Sequence, residues 1–159
     1  MATEIERKFL VQGDGWRQGS LGVPYRQGYL LADGNRTIRV RVAGDRGYLT
    51  IKGPMLGISR SEYEYPIALA DAEEMLASLC QGFLVEKQRY RVEHAGHLWE
   101  VDEFQGQNQG LIVAEIELSD PEEVFALPDW VGAEVSHDRR YGNAYLSFTP
   151  YCTWDSSPN

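Results

Sequence analysis

Alternation with a period of two runs through most of this chain, and its charged positions fall on one side of each run. Residues i, i+2 and i+4 of a strand share a face, so the pattern reports which side chains stand together. Glu4, Glu6 and Lys8 share one face and Ile5, Arg7 and Phe9 the other. Arg39 and Arg41 stand against Ile38, Val40 and Val42, and Thr50 and Lys52 against Leu49 and Ile51. Glu62 and Glu64 oppose Tyr63 and Tyr65; Lys87 and Arg89 oppose Glu86, Gln88 and Tyr90. Glu100 and Asp102 oppose Trp99 and Val101, and Glu115 and Glu117 oppose Ala114, Ile116 and Leu118. An open sheet with one solvated face explains any single run, because exposed cross-strand ion pairs are common and weak. Repetition is harder to explain that way. Like charges are paired within a strand, and the strands follow as acid, base, base, acid, base, acid, acid.

The runs predict strands over 3–11, 23–32, 35–43, 46–53, 60–68, 83–94, 97–104 and 111–119, separated by turn residues such as Asp33-Gly34-Asn35, Gly44-Asp45-Arg46 and Ala95-Gly96. Helices are expected over Ala70 to Leu79, Pro121 to Leu127 and Asp138 to Phe148, the last behind a cap at Ser136. The fold class is mainly β (α+β): eight antiparallel strands closing into a barrel, with helices outside and at one end. Residues 1–149 form one domain, and the tail from Pro150 to Asn159 is expected to be poorly ordered. In a closed barrel the charged face lines a lumen, where each charge needs a counter-charge or a ligand. The apolar face then lies outside, under the helices, and the interior is a polar tunnel for a polar ligand.

The chain has 159 residues and a formal net charge of -9, from fifteen basic and twenty-four acidic side chains. That balance repels a nucleic-acid backbone, so DNA is not an expected partner. It leaves room for a small anion in a locally basic cavity. Apolar runs fall short of a membrane span and the amino terminus lacks the features of a secretory signal, so a cytoplasmic protein is expected. Cys80 and Cys152 are far apart and form no metal or disulfide motif. A homodimer is compatible with this reading.

Carboxylates without His or Cys among them are hard oxygen donors suited to Mg²⁺ or Mn²⁺. Arg offers a planar fork to phosphate oxygens, and Lys a mobile point charge. The histidines His94, His97 and His137 lie at a hairpin end and a helix start, where solvation accounts for them. Tyr63, Tyr65, Tyr90 and Trp99 fall on outward faces and are read as packing groups.

The opening Glu4-Ile5-Glu6-Arg7-Lys8 resembles the ExExK motif of the CYTH, or triphosphate tunnel metalloenzyme, superfamily. Arg39-Val40-Arg41, Thr50-Ile51-Lys52-Gly53, Glu62-Tyr63-Glu64, Glu86-Lys87-Gln88-Arg89, Asp102, Glu115-Ile116-Glu117 and Asp138-Arg139-Arg140-Tyr141-Gly142-Asn143 follow in order. Arg26-Gln27-Gly28-Tyr29-Leu30 is similar to the short bacterial branch that acts on inorganic triphosphate. The resemblance implies an eight-stranded tunnel and metal-dependent attack of water on a bound triphosphate. It implies catalytic roles for Glu4, Glu6, Lys8 and Lys87, and metal ligation by Glu4, Glu6, Glu62, Glu64, Asp102, Glu115 and Glu117. Phosphate binding is implied for Lys8, Arg39, Arg41, Lys52, Lys87, Arg89 and Arg140. Alternatives within the superfamily are a class IV adenylate cyclase and a thiamine, nucleoside or RNA triphosphatase. Outside enzymology, a non-catalytic polyphosphate-binding module would keep the same tunnel.

Overall fold

The structure, a computed structural model, describes residues 2–154. Strands β1 (Thr3–Val11), β2 (Val23–Ala32), β3 (Thr37–Ala43), β4 (Arg46–Lys52) and β5 (Ser59–Ile67) precede helix α1 (Leu69–Ser78). Then come β6 (Gln81–His94), β7 (His97–Phe104), β8 (Ile112–Glu117), β9 (Val131–Glu134) and helix α2 (Asn143–Phe148). The sheet runs β5-β4-β3-β2-β6-β7-β8-β1, and β1 pairs back onto β5, closing an eight-stranded antiparallel barrel. Closure rests on the pairs Thr3↔Ser61, Glu4↔Arg60 and Ile5↔Ser59. Further along β1 the short β9 joins through Phe9↔Glu134 and Val11↔Val131.

The turns explain the strand ends. The Asp33 carboxylate accepts the backbone N–H groups of Asn35 at 2.8 Å and Arg36 at 2.9 Å, so β3 starts at Thr37 and not at residue 35. The ninth strand was not anticipated from the sequence. Its Gly132 passes so close to β1 that an added Cβ would meet the Leu10 carbonyl at 3.1 Å.

Two expected helices are corrected. Residues 121–127 form no helix: the Asp120 side chain captures the Glu122 N–H at 2.8 Å, and Glu123 folds back onto the Ser119 N–H. These local bonds satisfy the backbone that a helix would have used. The helix expected over 138–148 is divided into a 3-10 turn, Arg139–Tyr141, and α2, because Gly142 is extended at φ -72° and ψ 143°. Asp138 caps the 3-10 turn through the Arg140 N–H, whereas the Ser136 hydroxyl accepts the Lys8 N–H at 2.9 Å. Of the expected tail, Tyr151–Thr153 make a 3-10 turn and Trp154 stacks edge-on against Tyr141, Tyr145 and Tyr151. Residues 155–159 lie outside the described residues.

Apolar clusters cover the outside of the barrel wall, as the alternation requires, and one further cluster fills part of its inside. Helix α1 packs Ala72 and Leu76 onto Val40 and Val42. Helix α2 contributes Leu146 to the inner cluster with Val85, Phe104 and Val113, which share the lumenal faces of Lys87, Asp102 and Glu115 and fill the lumen beyond them. The largest cluster, around Phe9, Tyr90, Val101 and Trp99, is covered by connections carrying Trp16, Phe125 and Trp130, and not by helices. Tyr63 and Tyr65, also expected under helices, remain exposed on β5. Burial of these outer faces is the main favourable term available to offset the polar interior.

Candidate functional site

Inside the wall is a cavity of about 360 Å³ whose lining carries seven carboxylates and seven Lys or Arg side chains. The carboxylates are Glu4, Glu6, Glu62, Glu64, Glu100, Glu115 and Glu117; the cations are Lys8, Arg39, Arg41, Lys52, Arg60, Arg89 and Arg91. Closure sorts them. The acid-bearing strands β7, β8, β1 and β5 are consecutive around the barrel, and the other arc, β6, β2, β3 and β4, carries most of the cations. A sequence that alternates acid and base strands thus folds into two facing walls.

Ion pairs join the walls. Lys52 on β4 donates to both oxygens of Glu4 at 3.0 Å and stands 3.3 Å from Glu62. Arg39 donates to Thr50 at 3.0 Å and Glu64 at 3.3 Å, yet its buried Nε has no hydrogen-bond partner. Arg89 binds Asp102 through Nε at 2.8 Å and Nη2 at 2.9 Å, and reaches Glu100 at 3.4 Å. Lys8 donates to the Tyr141 carbonyl at 3.1 Å and lies 3.7 Å from Glu115.

Proton affinities record which charges are matched. Burial pushes the Glu6 carboxyl well above the usual range, and neighbouring Glu115 and Glu4 add to the shift. Glu117 is raised by burial and by Glu4, Glu62 and Glu100. Glu115, despite burial, is pulled down to about 2 by Lys8 and Arg89. On the opposite arc, burial and the cations Arg39 and Arg89 lower Arg41 to about 9. Crowded carboxylates on one wall call for a cation, and crowded guanidinium groups on the other call for an anion.

Lys87 and Asp102 stand on the same lumenal faces as Arg89 and Glu100, but are buried beneath the cavity lining. Lys87 is fully buried, donating to Asp102 at 2.7 Å and to Asn143 at 3.0 Å. Burial lowers it to about 7, with Asp102 opposing and Arg89 and Arg41 adding to the shift. Asp102 is held well below the carboxylate range, because Arg89 and Lys87 outweigh its burial. Its oxygens already accept three hydrogen bonds from those cations.

Of the residues singled out in the sequence, Glu4, Glu6, Lys8, Arg39, Arg41, Lys52, Glu62, Glu64, Arg89, Glu115 and Glu117 line the cavity. Arg140 does not. It lies in the 3-10 turn, pairs with Asp138 and packs over Tyr141 and Trp154. Arg60 and Arg91 are additions, and Glu100, already read on the charged face with Asp102, joins them; the neutral side chains of Tyr25, Tyr48 and Asn143 are further additions. The first three occupy the same alternating faces as Glu62, Arg89 and Asp102, so the period of two already pointed to them.

Four lumenal carboxylates, Glu4, Glu6, Glu115 and Glu117, supply hard oxygen donors of the kind Mg²⁺ and Mn²⁺ take. The mutual repulsion raising Glu6 and Glu117 fits a wall that receives a cation. Among the described residues no set of three or more His, Cys, Asp or Glu side chains is already drawn together around a metal position. Lys52 and Lys8 serve as the nearest counter-charges to Glu4 and Glu115.

Comparison with known proteins agrees with this architecture. The chain is 52% identical over 151 residues to an inorganic triphosphatase of Acetivibrio thermocellus, covering 95% of this chain and 97% of that protein. It is 40% identical over 152 residues to an inorganic triphosphatase of Nitrosomonas europaea, covering 92% and 98%. The crystal structure of the inorganic triphosphatase NE1496 superposes with a TM-score of 0.64 at 36% identity, over 92% of this chain and 95% of that one. The family model for the CYTH domain matches residues 2–149, which include every strand of the barrel and both lumenal walls. This chain belongs to the CYTH domain family.

Proposed function

We propose that this protein is an inorganic triphosphatase, cleaving tripolyphosphate to diphosphate and phosphate in the barrel lumen. The observation that carries this reading is the pair of facing walls: carboxylates on β1 and β8, cations on β3, β4 and β6, around one cavity. The curated relatives of this length and similarity bear the same activity in their names. Water attacks the terminal phosphorus, the bridging P–O bond breaks, and diphosphate departs. Such a reaction asks mainly for alignment and for stabilisation of spreading negative charge.

Arg39 and Arg41 bind phosphate oxygens from one side, Arg39 using the Nε that lacks a protein acceptor. Lys52, Arg89 and Lys8 bind from the flanks, exchanging carboxylate partners for phosphate oxygens. Glu4, Glu6, Glu115 and Glu117 would hold Mg²⁺ or Mn²⁺, with Glu62 and Glu64 beside them. A metal held there would supply neutralisation of phosphate charge and polarisation of the phosphoryl group. Asp102 and Lys87 act from beneath the cavity lining: Asp102 orients Arg89, and Lys87 is held between Asp102 and Asn143. Arg140 has no part in this scheme. The lumen is built by one chain, so the scheme needs no second copy. Free Cys80 and Cys152 suit a reducing, cytoplasmic setting.

The test is a substrate panel of tripolyphosphate, pyrophosphate, ATP and thiamine triphosphate, read for free phosphate and for cyclic AMP. It is run after EDTA treatment and again with added Mg²⁺ or Mn²⁺. Metal-dependent phosphate release that is fastest with tripolyphosphate is expected. Cyclic AMP from ATP, or tight tripolyphosphate binding with no phosphate release under either metal, would overturn the proposal.

A further inference from the structure

Two neutral amides link the basic wall to the end of α2. Gln27, fully buried on β2, accepts the Arg41 Nε–H at 2.8 Å through Oε1. Its Nε2 donates to Asn143 Oδ1 at 3.2 Å, and the same Oδ1 accepts Lys87 Nζ at 3.0 Å. A guanidinium and an ammonium can only donate, so the cations at the two ends fix which way both amides point. The chain reads Arg41 to Gln27 to Asn143, with Lys87 meeting Asn143 and continuing to Asp102 and Arg89.

Asn143 is the first residue of α2, and Gly142, Asn143 and Ala144 line the cavity. The far half of α2 is anchored on β6: Ser147 donates to the Phe83 carbonyl at 2.6 Å, and an added Cβ at Gly82 would meet the Ser147 carbonyl at 2.8 Å. Among the described residues the bond to Gln27 is the one hydrogen bond the Arg41 side chain makes. The Tyr25 ring, with the Arg41 guanidinium 4.9 Å from its centre and that of Arg89 4.8 Å away, supports the fork without setting its direction.

We infer that Gln27 and Asn143 are positioning residues that tie the seating of α2 to the aim of Arg41 and Lys87, so that seated α2 and bound anion reinforce each other. When α2 is seated, Asn143 holds the Gln27 amide in the orientation that presents its oxygen to Arg41. When α2 is displaced, Lys87 loses one of its two acceptors and the Gln27 amide is free to turn. Coupling of this kind is reciprocal: whatever the seated helix adds to anion affinity, the anion adds to helix seating. The inference rests on the triphosphatase reading for its substrate, and on the buried amide chain for its substance.

The experiment compares wild type with Gln27→Leu, Asn143→Ala, Asn143→Asp and the double variant Gln27→Leu/Asn143→Ala. KM and kcat are measured for tripolyphosphate with Mg²⁺, and hydrogen exchange of the α2 amides is followed with and without tripolyphosphate. Each of Gln27→Leu and Asn143→Ala is expected to raise KM about tenfold with a smaller change in kcat, the loss of one charge-assisted hydrogen bond. The double variant is expected to be no worse than the worse single one. Asn143→Asp keeps the acceptor and recovers most of the affinity lost in Asn143→Ala. Tripolyphosphate slows α2 exchange in wild type and fails to do so in Asn143→Ala. If Gln27→Leu does not fold, Gln27→Glu replaces it, keeping the acceptor for Arg41 and lacking the donor for Asn143. KM effects that multiply in the double variant, or α2 exchange slowed equally in wild type and Asn143→Ala, would overturn the inference. Wild type that binds tripolyphosphate without releasing phosphate would defeat the hydrolysis reading alone, and the exchange comparison would still decide this one.

Discussion

Glu6 on β1 and Glu117 on β8 stand directly opposite each other in adjacent antiparallel strands, both facing the lumen. Like charges in this position destabilise a sheet, and burial with neighbouring carboxylates raises the proton affinity of both. Glu6→Gln is therefore expected to raise the melting temperature measured in EDTA by about 2–4 °C. The same change is expected to lower triphosphatase activity at least about 100-fold, because Glu6 is one of the four carboxylates proposed to hold the metal. Calorimetry in EDTA and a phosphate assay with Mg²⁺ check the pair; a fall in metal-free stability would contradict the repulsion.

Asp102 gives a pH dependence whose sign follows from its partners. Arg89 and Lys87 hold its folded pKa well below the ordinary 3.8, so its contribution is fully present above that value. It is lost as pH falls below 3.8 toward the depressed folded value. Asp102→Asn removes the counter-charge of a buried lysine and is expected to cost about 3–5 kcal/mol near neutrality. The stability difference from wild type should narrow as pH falls below 3.8. Urea midpoints between pH 2 and pH 7 measure it.

Arg39 and Arg41, proposed to bind the anion, line the lumen with hydrogen-bonding capacity to spare among the described residues. Replacing either by Ala should raise KM for tripolyphosphate about tenfold or more, with kcat less affected. Arg→Lys at the same positions should recover only part of that loss, because a point charge cannot reproduce a planar fork. Steady-state kinetics at fixed Mg²⁺ separate the two parameters.

Gly28 belongs to the outer face and reports on packing. An added Cβ would lie 2.6 Å from Cys80 Sγ and 2.8 Å from Leu84 Cδ2. Gly28→Ala should destabilise the fold by about 1–3 kcal/mol. Phosphate release at a temperature below the shifted transition should change little. A melting curve beside an activity assay distinguishes this from damage to the lumen.

The strands were legible because one alternation satisfies both faces of a closed wall, and it ran through Glu4 to Phe9, Arg39 to Val42 and Glu115 to Leu118 without interruption. The same rule reached Arg60, Arg91 and Glu100, one alternation step from residues already singled out. Other features depend on contacts between distant segments. β9 is too short for a period to register, and it holds through the close approach of Gly132 to Leu10. Asn143 reaches the lumen only because Gly142 is extended, a break that helical spacing over 138–148 conceals. Arg140 looked basic and well placed, but the same break leaves it in the turn beside Asp138. The sorting of acids from bases into two arcs follows from strand order, which no single strand encodes.

The barrel seam, with its three residue pairs between β1 and β5, bears on the order of assembly. β1 is the first strand to be synthesised, yet one of its edges pairs with β8 and the other with β5 and β9. The meander β2 to β5 can form from near neighbours, and β1 can reach β5 soon after, whereas its other edge must wait for β8, more than a hundred residues away. Long loop closures of this kind come late and slow the search for the native state. Of the barrel strands, the segment carrying Glu4, Glu6 and Lys8 is thus made first and locked last, and the lumen acquires its complete charge pattern only when β8 has joined it.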